Sequence, residues 1–348
     1  MVANLSIDEF AIMLGSAVAI WFVDASPMGE CTGKFSEIDG VQAKIRKSQR
    51  NQRLIQLGIF AMYYVVNDLH NFIGSLALLG SILLLTYGYG DSRYVAMKFA
   101  AYHLLALVLC ACASILPIGV QTAILHMAAF GILTATYPMS GWIEPFFARA
   151  PFFLISTWLI FIRPIEIKFL LATAPWGLVP SSRATFSLAL VMIFGSLGFV
   201  PILFFAKAEL RKLIAYAACW QSGYIWLFAI QFAAEKSNSI IPFATVQGIF
   251  LALVARIATT LYSRNKTDSI TNLGGLFEAN YFAAVFLVSS LVFLLIMPVI
   301  FLVKKNIYQM PSLFIFQVCG SMILPALFGY KIYLLLQKNG TGEQLSKA

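Results

Sequence analysis

Ionisable side chains lie within or beside long apolar runs of this sequence, in a setting where buried groups can carry protons. The candidates are Arg163, Glu166, Lys212, Arg256 and Lys305. A lysine in dry surroundings can take up or release a proton near neutral pH, and a chain of such groups can relay protons across a bilayer. The alternative for each is a long side chain that extends to the membrane surface. Arginine stays charged, so it would act by tuning a neighbour.

Membrane-spanning helices must position these side chains. The chain is 60% hydrophobic and only 11% charged, whereas soluble domains carry about 25% charged residues. Its mean hydropathy is +0.83. The apolar runs are too long and continuous for the alternating strands of a membrane barrel. We therefore predict an all-α fold, a polytopic transmembrane helix bundle with about eleven spans.

The predicted spans define the domain organisation. Residues 1–53 hold the first span and a basic polar loop, and residues 54–348 form one bundle with no room for a soluble domain. Prolines at positions 164, 298 and 325 interrupt three of the runs. Broken helices in membranes often line ion or substrate sites, although a simple packing kink is the alternative at each proline. The predicted spans are 9–23, 54–68, 71–89, 95–116, 118–137, 151–172, 184–205, 212–233, 240–262, 279–303 and 311–336.

Several other classes of function find no support in the sequence. The net charge of +9 is concentrated in loops such as residues 44–53, which is typical of a membrane protein rather than a nucleic-acid binder. The five cysteines indicate no disulfide framework, and His70, His103 and His126 are too dispersed for a metal site. No phosphate-binding loop, nucleophile elbow or redox-cofactor motif is recognisable. We expect no cleaved secretory signal.

Short segments resemble the antiporter-like subunits of respiratory complex I, in the same order along the chain. Residues 67–69 (NDL), 96–99 (AMKF) and 137–142 (YPMSGW) are similar to the family motifs N-D-L, A-L-K-Y and F-P-F-H-G-W. Residues 212–224 resemble the helix K-R-x-x-A-Y-x-x-x-x-Q-x-G-Y, which is the most specific match. The residues that carry the resemblance are Asp68, Pro138, Trp142, Lys212, Tyr216, Gln221, Gly223, Tyr224 and Pro298.

The C-terminal part resembles NADH dehydrogenase subunit 2 within that family. Lys305 follows Pro298 by seven residues, which is similar to the subunit 2 pattern, whereas the subunit 4 pattern would place a glutamate near there. The resemblance extends over about residues 65–336 and implies the antiporter-like fold. Residues 1–60 match no part of the family pattern.

The resemblance also implies a proton path, and this chain departs from it. Lys305 matches the lysine of the family's twelfth helix. The seventh-helix lysine is replaced by Leu133, and the fifth-helix glutamate falls at Leu76 or Ala77. Arg163 is the basic residue nearest to the eighth-helix lysine. We therefore expect a divergent subunit whose own proton path is impaired or rerouted.

The function implied by the resemblance is that of a core membrane-arm subunit of a proton-pumping NADH:ubiquinone oxidoreductase. It would contribute to proton translocation or to the scaffold, bind no cofactor itself, and leave NADH, flavin, iron–sulfur clusters and ubiquinone to other subunits. Expected partners are other membrane-arm subunits and lipids, not nucleic acid, in the mitochondrial inner membrane. The alternatives are a subunit of a multi-subunit cation/proton antiporter outside complex I and a purely structural membrane subunit.

Overall fold

The computed structural model describes residues 93–150, most of 155–179, 182–207, 209–231 and 240–265, and a few isolated positions beyond. Apart from one isolated bridge between Glu209 and Ser269, this part of the chain is helices and their connections. Predictions that fall on other residues lie outside the described part. They include the spans before residue 93 and after residue 265, the domain boundary at residue 53, and Asp68, Leu76, Ala77, Pro298, Lys305 and Pro325.

The first helices form an antiparallel hairpin that leads into a short helix. Helix α1 covers Arg93–Ile115 and α2 covers Val120–Leu133, and the two pack along each other. Helix α3 is only Ile143–Arg149. Helix α2 therefore ends at Leu133, four residues before the end of the predicted span 118–137. The backbone leaves the helical conformation at Ala135, which has a φ of 58°, and the Trp142 indole donates a hydrogen bond to the Ile132 carbonyl at 3.0 Å.

Wide π-helical turns precede two prolines of the bundle. The turn Trp158–Ile162 leads into α4, Arg163–Thr173. The turn Gly195–Phe199 joins α5, Arg183–Phe194, to α6, Val200–Ala206. A proline ring collides with the carbonyl four residues earlier in an α-helix. For Pro164 and Pro201 those carbonyls belong to Ile160 and Leu197, which lie in the π turns. The predicted interruption at Pro164 is therefore present as a change of helix type.

Helix α7, Leu210–Gln231, is the centre of the bundle. It packs against α8, Ile240–Asn265, and against α3, α5, α6 and the second π turn. Every residue from 217 to 230 is buried. By contrast, α1 and α6 expose apolar side chains such as Met97, Leu104 and Ile202. An apolar outer surface is what lipid contact requires, because hydrocarbon solvates no polar group.

Three helical segments of the described part are long and apolar enough to cross a membrane: Met97–Ile115, Arg183–Phe204 and Leu210–Ile230. They agree with the predicted spans 95–116, 184–205 and 212–233 to within a few residues. The helical fold class, with helices able to cross a membrane, is thereby confirmed for this part of the chain, while the total of about eleven spans stays a prediction.

Candidate functional site

Buried polar side chains extend through the apolar core from α1, across α4, to α7. His103 belongs to α1, Arg163 and Glu166 to α4, and Ser222 to α7. Arg163 is 0% exposed and Glu166 is 7% exposed. A charge taken out of water costs several kcal/mol unless partners compensate it, so the contacts of these side chains decide what the site can do.

Arg163 is bound to the oxygens of the central helix. Its Nη2 donates to the Ala218 carbonyl at 3.0 Å and to Ser222 Oγ at 2.7 Å. The Ser222 hydroxyl is also within hydrogen-bonding distance of the Thr134 carbonyl at the end of α2. The guanidinium carbon lies 5.5 Å from the centre of the Trp158 ring, which adds a cation–π contact. Arg163 is thus a fixed positive charge that ties α4 to α7.

Glu166 faces α1 rather than Arg163. Its Oε1 lies 3.4 Å from Nε2 of His103, which is within ion-pair range but longer than a formed hydrogen bond. Arg163 and Glu166 are three residues apart, a spacing at which the two side chains could pair on a helix. In the structure the hydrogen bonds of Arg163 go to α7 instead, because Ala218 and Ser222 offer oxygens on one side of α4 and His103 offers an imidazole on the other.

Aromatic rings enclose the imidazole. The Phe99 ring stacks on His103 at 3.8 Å, and the Trp142 ring meets it edge-on at 4.9 Å. Trp142 in turn contacts Phe146 and Trp158. These rings hold the orientation of His103 and exclude solvent. Low polarity around the site strengthens every electrostatic interaction within it.

A second, more exposed cluster lies where α3 meets the start of α7. Glu144 Oε1 accepts a hydrogen bond from Lys207 at 3.1 Å, and Oε2 accepts one from the Tyr216 hydroxyl at 2.5 Å. Lys212 lies 3.9 Å from Glu144 and 2.6 Å from Glu209. Partial burial raises the pKa of Glu144, but the hydrogen bonds from Tyr216 and Lys207 and the charges of both lysines outweigh it, so its pKa is lowered. Glu144 is therefore ionised at neutral pH.

The other predicted site residues are distributed over the bundle. Lys212 belongs to the Glu144 cluster, and Arg256 is partly exposed on α8. Leu133, at the position expected for a lysine, is buried at the end of α2. Among the motif residues, Trp142, Gln221 and Tyr224 are buried and Pro138 is exposed.

Gly223 lies where two elements of the bundle approach closely. A Cβ added at Gly223 would lie 2.7 Å from Leu197 Cγ and 3.0 Å from Ser196 Cβ. The glycine therefore allows α7 to touch the second π turn. Small residues serve this purpose between membrane helices.

Sequence reasoning missed His103, Ser222 and Glu144 as site residues. His103 was considered only as a metal ligand, and none of the described residues forms a group of three potential metal ligands. The available signal was a histidine inside an apolar run, a position that is costly unless a partner is present. Ser222 carries the same signal, a polar residue inside an apolar run, but its partners and those of Glu144 are far away in sequence and give no signal.

Comparisons with known proteins add the fold relationship. No protein-family model and no curated protein matches the chain. Among solved structures, it is similar to a chain of respiratory complex I from Thermus thermophilus with bound NADH. The TM-score is 0.68 and the identity 17%, over 83% of this chain and 68% of that one. A chain of the same complex with bound aureothin gives a TM-score of 0.65 and 15% identity, over 83% and 70%. The chain therefore shares the fold of a respiratory complex I chain.

Proposed function

We propose that this protein is a membrane-arm subunit of a respiratory complex I, of the antiporter-like kind and similar to subunit 2. The observation that carries the proposal is the shared fold over 83% of the chain. The sequence segments that resemble the family motifs, in the same order along the chain, also support the proposal. The helix containing Lys212, Gln221 and Gly223 is the most specific of them. The apolar outer surface of the bundle fits a position in the membrane.

Within such a complex the chain would handle protons rather than electrons. The buried line provides Glu166 and His103 as titratable groups and Arg163 as a fixed charge. We assign NADH, flavin, iron–sulfur clusters and ubiquinone to other subunits. Coupling would reach this chain as conformational and electrostatic change along the arm.

The departures at the family positions favour a modified proton path. Leu133 carries no ionisable group and is packed in the core, so the route expected through a lysine there is closed. We propose that the path is impaired or rerouted through the buried line. Lys305 and Arg256 are further candidates for its remaining steps. The expected neighbours are other membrane-arm subunits and lipids of the mitochondrial inner membrane.

Native gel separation tests this assignment. Solubilised membranes are resolved, the gel is stained for NADH dehydrogenase activity, and the stained band is analysed by mass spectrometry. Peptides of this chain in the large stained complex would support the proposal. Their absence from that band, with the chain in a smaller and unstained assembly, would instead favour a cation/proton antiporter subunit outside complex I.

A further inference from the structure

A histidine and a carboxyl group from different helices face each other inside the bundle. His103 is 0% exposed and Glu166 is 7% exposed, and Nε2 lies 3.4 Å from Oε1. We propose that His103 and Glu166 together hold one exchangeable proton, and that Arg163 sets the charge balance of the site. This proton site deepens the proposed function. The role of the site in proton pumping rests on that proposed function.

The hydrogen bond on the far side of the imidazole fixes where its proton lies. Nδ1 of His103 is 2.9 Å from the Phe99 carbonyl oxygen. A carbonyl oxygen only accepts, so Nδ1 is the donor. In the neutral ring Nε2 is therefore without a proton and presents a lone pair to Glu166. The second ring nitrogen of a histidine is commonly tuned in this way by the hydrogen bond that the first one makes.

Charge counting gives two accessible states. With no proton between Nε2 and Oε1, the carboxylate balances Arg163 and the net charge of the three groups is zero. With one proton, the O–H bond of Glu166 breaks as the N–H bond of His103 forms, or the reverse, and the net charge is one positive. A second proton would bury two uncompensated positive charges, which is strongly unfavourable. The pair therefore exchanges between no proton and one.

The distance between His103 Nε2 and Glu166 Oε1 fits a site that contracts when it binds a proton. Charge-assisted hydrogen bonds between nitrogen and oxygen are about 2.7–2.9 Å long. Closing the gap from 3.4 Å needs a movement of about 0.5–0.7 Å, which a side-chain rotation supplies. Without the proton, the two lone pairs repel each other and the gap stays open.

Other groups around the pair complete its electrostatic surroundings. The Cys110 thiol of α1 interacts with the charge of Glu166, and Arg163 interacts with both Glu166 and the Cys219 thiol of α7. The rings of Phe99 and Trp142 cover the imidazole. Arg163 is thus a permanent positive charge that interacts with the pair.

Arg163 couples the proton to the central helix. Its guanidinium donates to Ala218 and Ser222 of α7 while it is attracted by Glu166. Ionised Glu166 attracts the Arg163 guanidinium and weakens its hydrogen bonds to α7. When Glu166 is neutral this attraction is lost, and the guanidinium stays on the α7 oxygens. Proton occupancy of the pair thereby changes the contact between α4 and α7, which is a means of transmitting a protonation event through the bundle.

Infrared difference spectroscopy of the intact complex that contains this chain tests the proposal. Spectra are recorded between mildly acidic and mildly alkaline pH, in water and in deuterium oxide. We expect a carbonyl band of a protonated carboxylic acid that titrates with pH and shifts in deuterium oxide. The band is lost in Glu166→Gln and shifted in His103→Gln, whose amide can donate a hydrogen bond at the position of Nε2 but cannot take up a proton there. His103→Asn, which retains a donor for Phe99, is the second variant in case His103→Gln fails to assemble.

His126 offers a matched control. It is also buried, and its Nδ1 lies 3.0 Å from the Thr122 carbonyl in the same within-helix geometry. None of the ion pairs found among the described residues involves His126. His126→Gln should therefore leave the carboxylic acid band unchanged. Because this readout is spectroscopic, it reports on proton binding even where pumping is lost for another reason.

The outcomes separate the two proposals. A band that is independent of pH, a band that persists in Glu166→Gln, or an equal effect of His126→Gln would overturn the proton site. If the chain comigrates with NADH dehydrogenase activity but shows no such titration, only the site fails. If the band behaves as expected in an assembly without that activity, the site stands and the assignment to complex I fails.

Discussion

Replacing Gly248 with alanine should destabilise the bundle, because no space exists for a methyl group there. Gly248 of α8 lies against the first π turn. A Cβ at this position would be 2.2 Å from the Leu159 carbonyl oxygen and 2.9 Å from its carbon. Carbon–oxygen contacts are normally about 3.3 Å or longer, so α8 and the π turn must separate by about 1 Å. Backbone atoms cannot rotate away as a side chain would.

The size of the effect follows from two opposing terms. Overpacking costs about 1–3 kcal/mol, and the rigid backbone partner places Gly248→Ala near the upper limit. Alanine gains about 1 kcal/mol over glycine within a helix. The net loss is then about 2 kcal/mol, or a factor of about 30 in the ratio of folded to unfolded chain. Arg163 follows this π turn directly, so the shift should also weaken its hydrogen bonds to α7.

Gly198→Ala is the matched control. Gly198 is exposed in the second π turn, and an added Cβ would meet nothing within 4 Å. The Gly198→Ala variant should have the same free energy of unfolding as wild type, or one higher by up to about 1 kcal/mol. The assay is unfolding of the purified, solubilised complex in mixed detergent micelles, with the amount of assembled complex as a second readout. Equal stability of Gly248→Ala and wild type, or an equal loss in Gly198→Ala, would refute the contact between α8 and the π turn.

Other predictions concern helix α7, the Glu144 cluster, and Lys305, a proton-path candidate that lies outside the described residues. Gly223→Leu should reduce assembly, because even a Cβ would lie 2.7 Å from Leu197; normal levels on native gels would mean that this face of α7 is not packed. Glu144→Gln should be less stable than wild type at neutral pH by up to about 1 kcal/mol. The folded-state pKa of Glu144 is lowered, so this difference should begin to shrink in denaturation curves as the pH falls below the ordinary value of 4.5 and vanish once it is below the folded-state pKa; a constant difference would contradict it. Lys305→Ala should lower proton pumping without preventing assembly, and unchanged coupled activity would argue against a channel role.

Much of the fold was predictable because hydrophobic run length is a local property. The spans 95–116, 184–205, 212–233 and 240–262 match helices of the structure to within a few residues. Pro164 marked a change in helix geometry, as its missing donor requires. The early end of α2 was not predictable, because it depends on Ala135 adopting a positive φ within an apolar stretch that carries no glycine there.

The candidate site was predictable only in part. Arg163 and Glu166 stand out as charges near a proline in an apolar run. Their partners do not, because His103 is 63 residues before Glu166 and Ser222 is 59 residues after Arg163. Which helices become neighbours decides these pairs, and that depends on the whole bundle. Glu144 was not predictable as a site residue for the same reason, because its partners Lys207 and Tyr216 lie on segments far along the chain.

We propose that this chain is a membrane-arm subunit of respiratory complex I, and the other functional inferences rest on that assignment. The most direct test is to tag the chain, isolate the intact assembly that contains it, and determine the structure of that assembly by cryo-electron microscopy. We expect an assembly that oxidises NADH, with this chain in its membrane region and Arg163 in contact with Ser222. An assembly without NADH-oxidising subunits would contradict it.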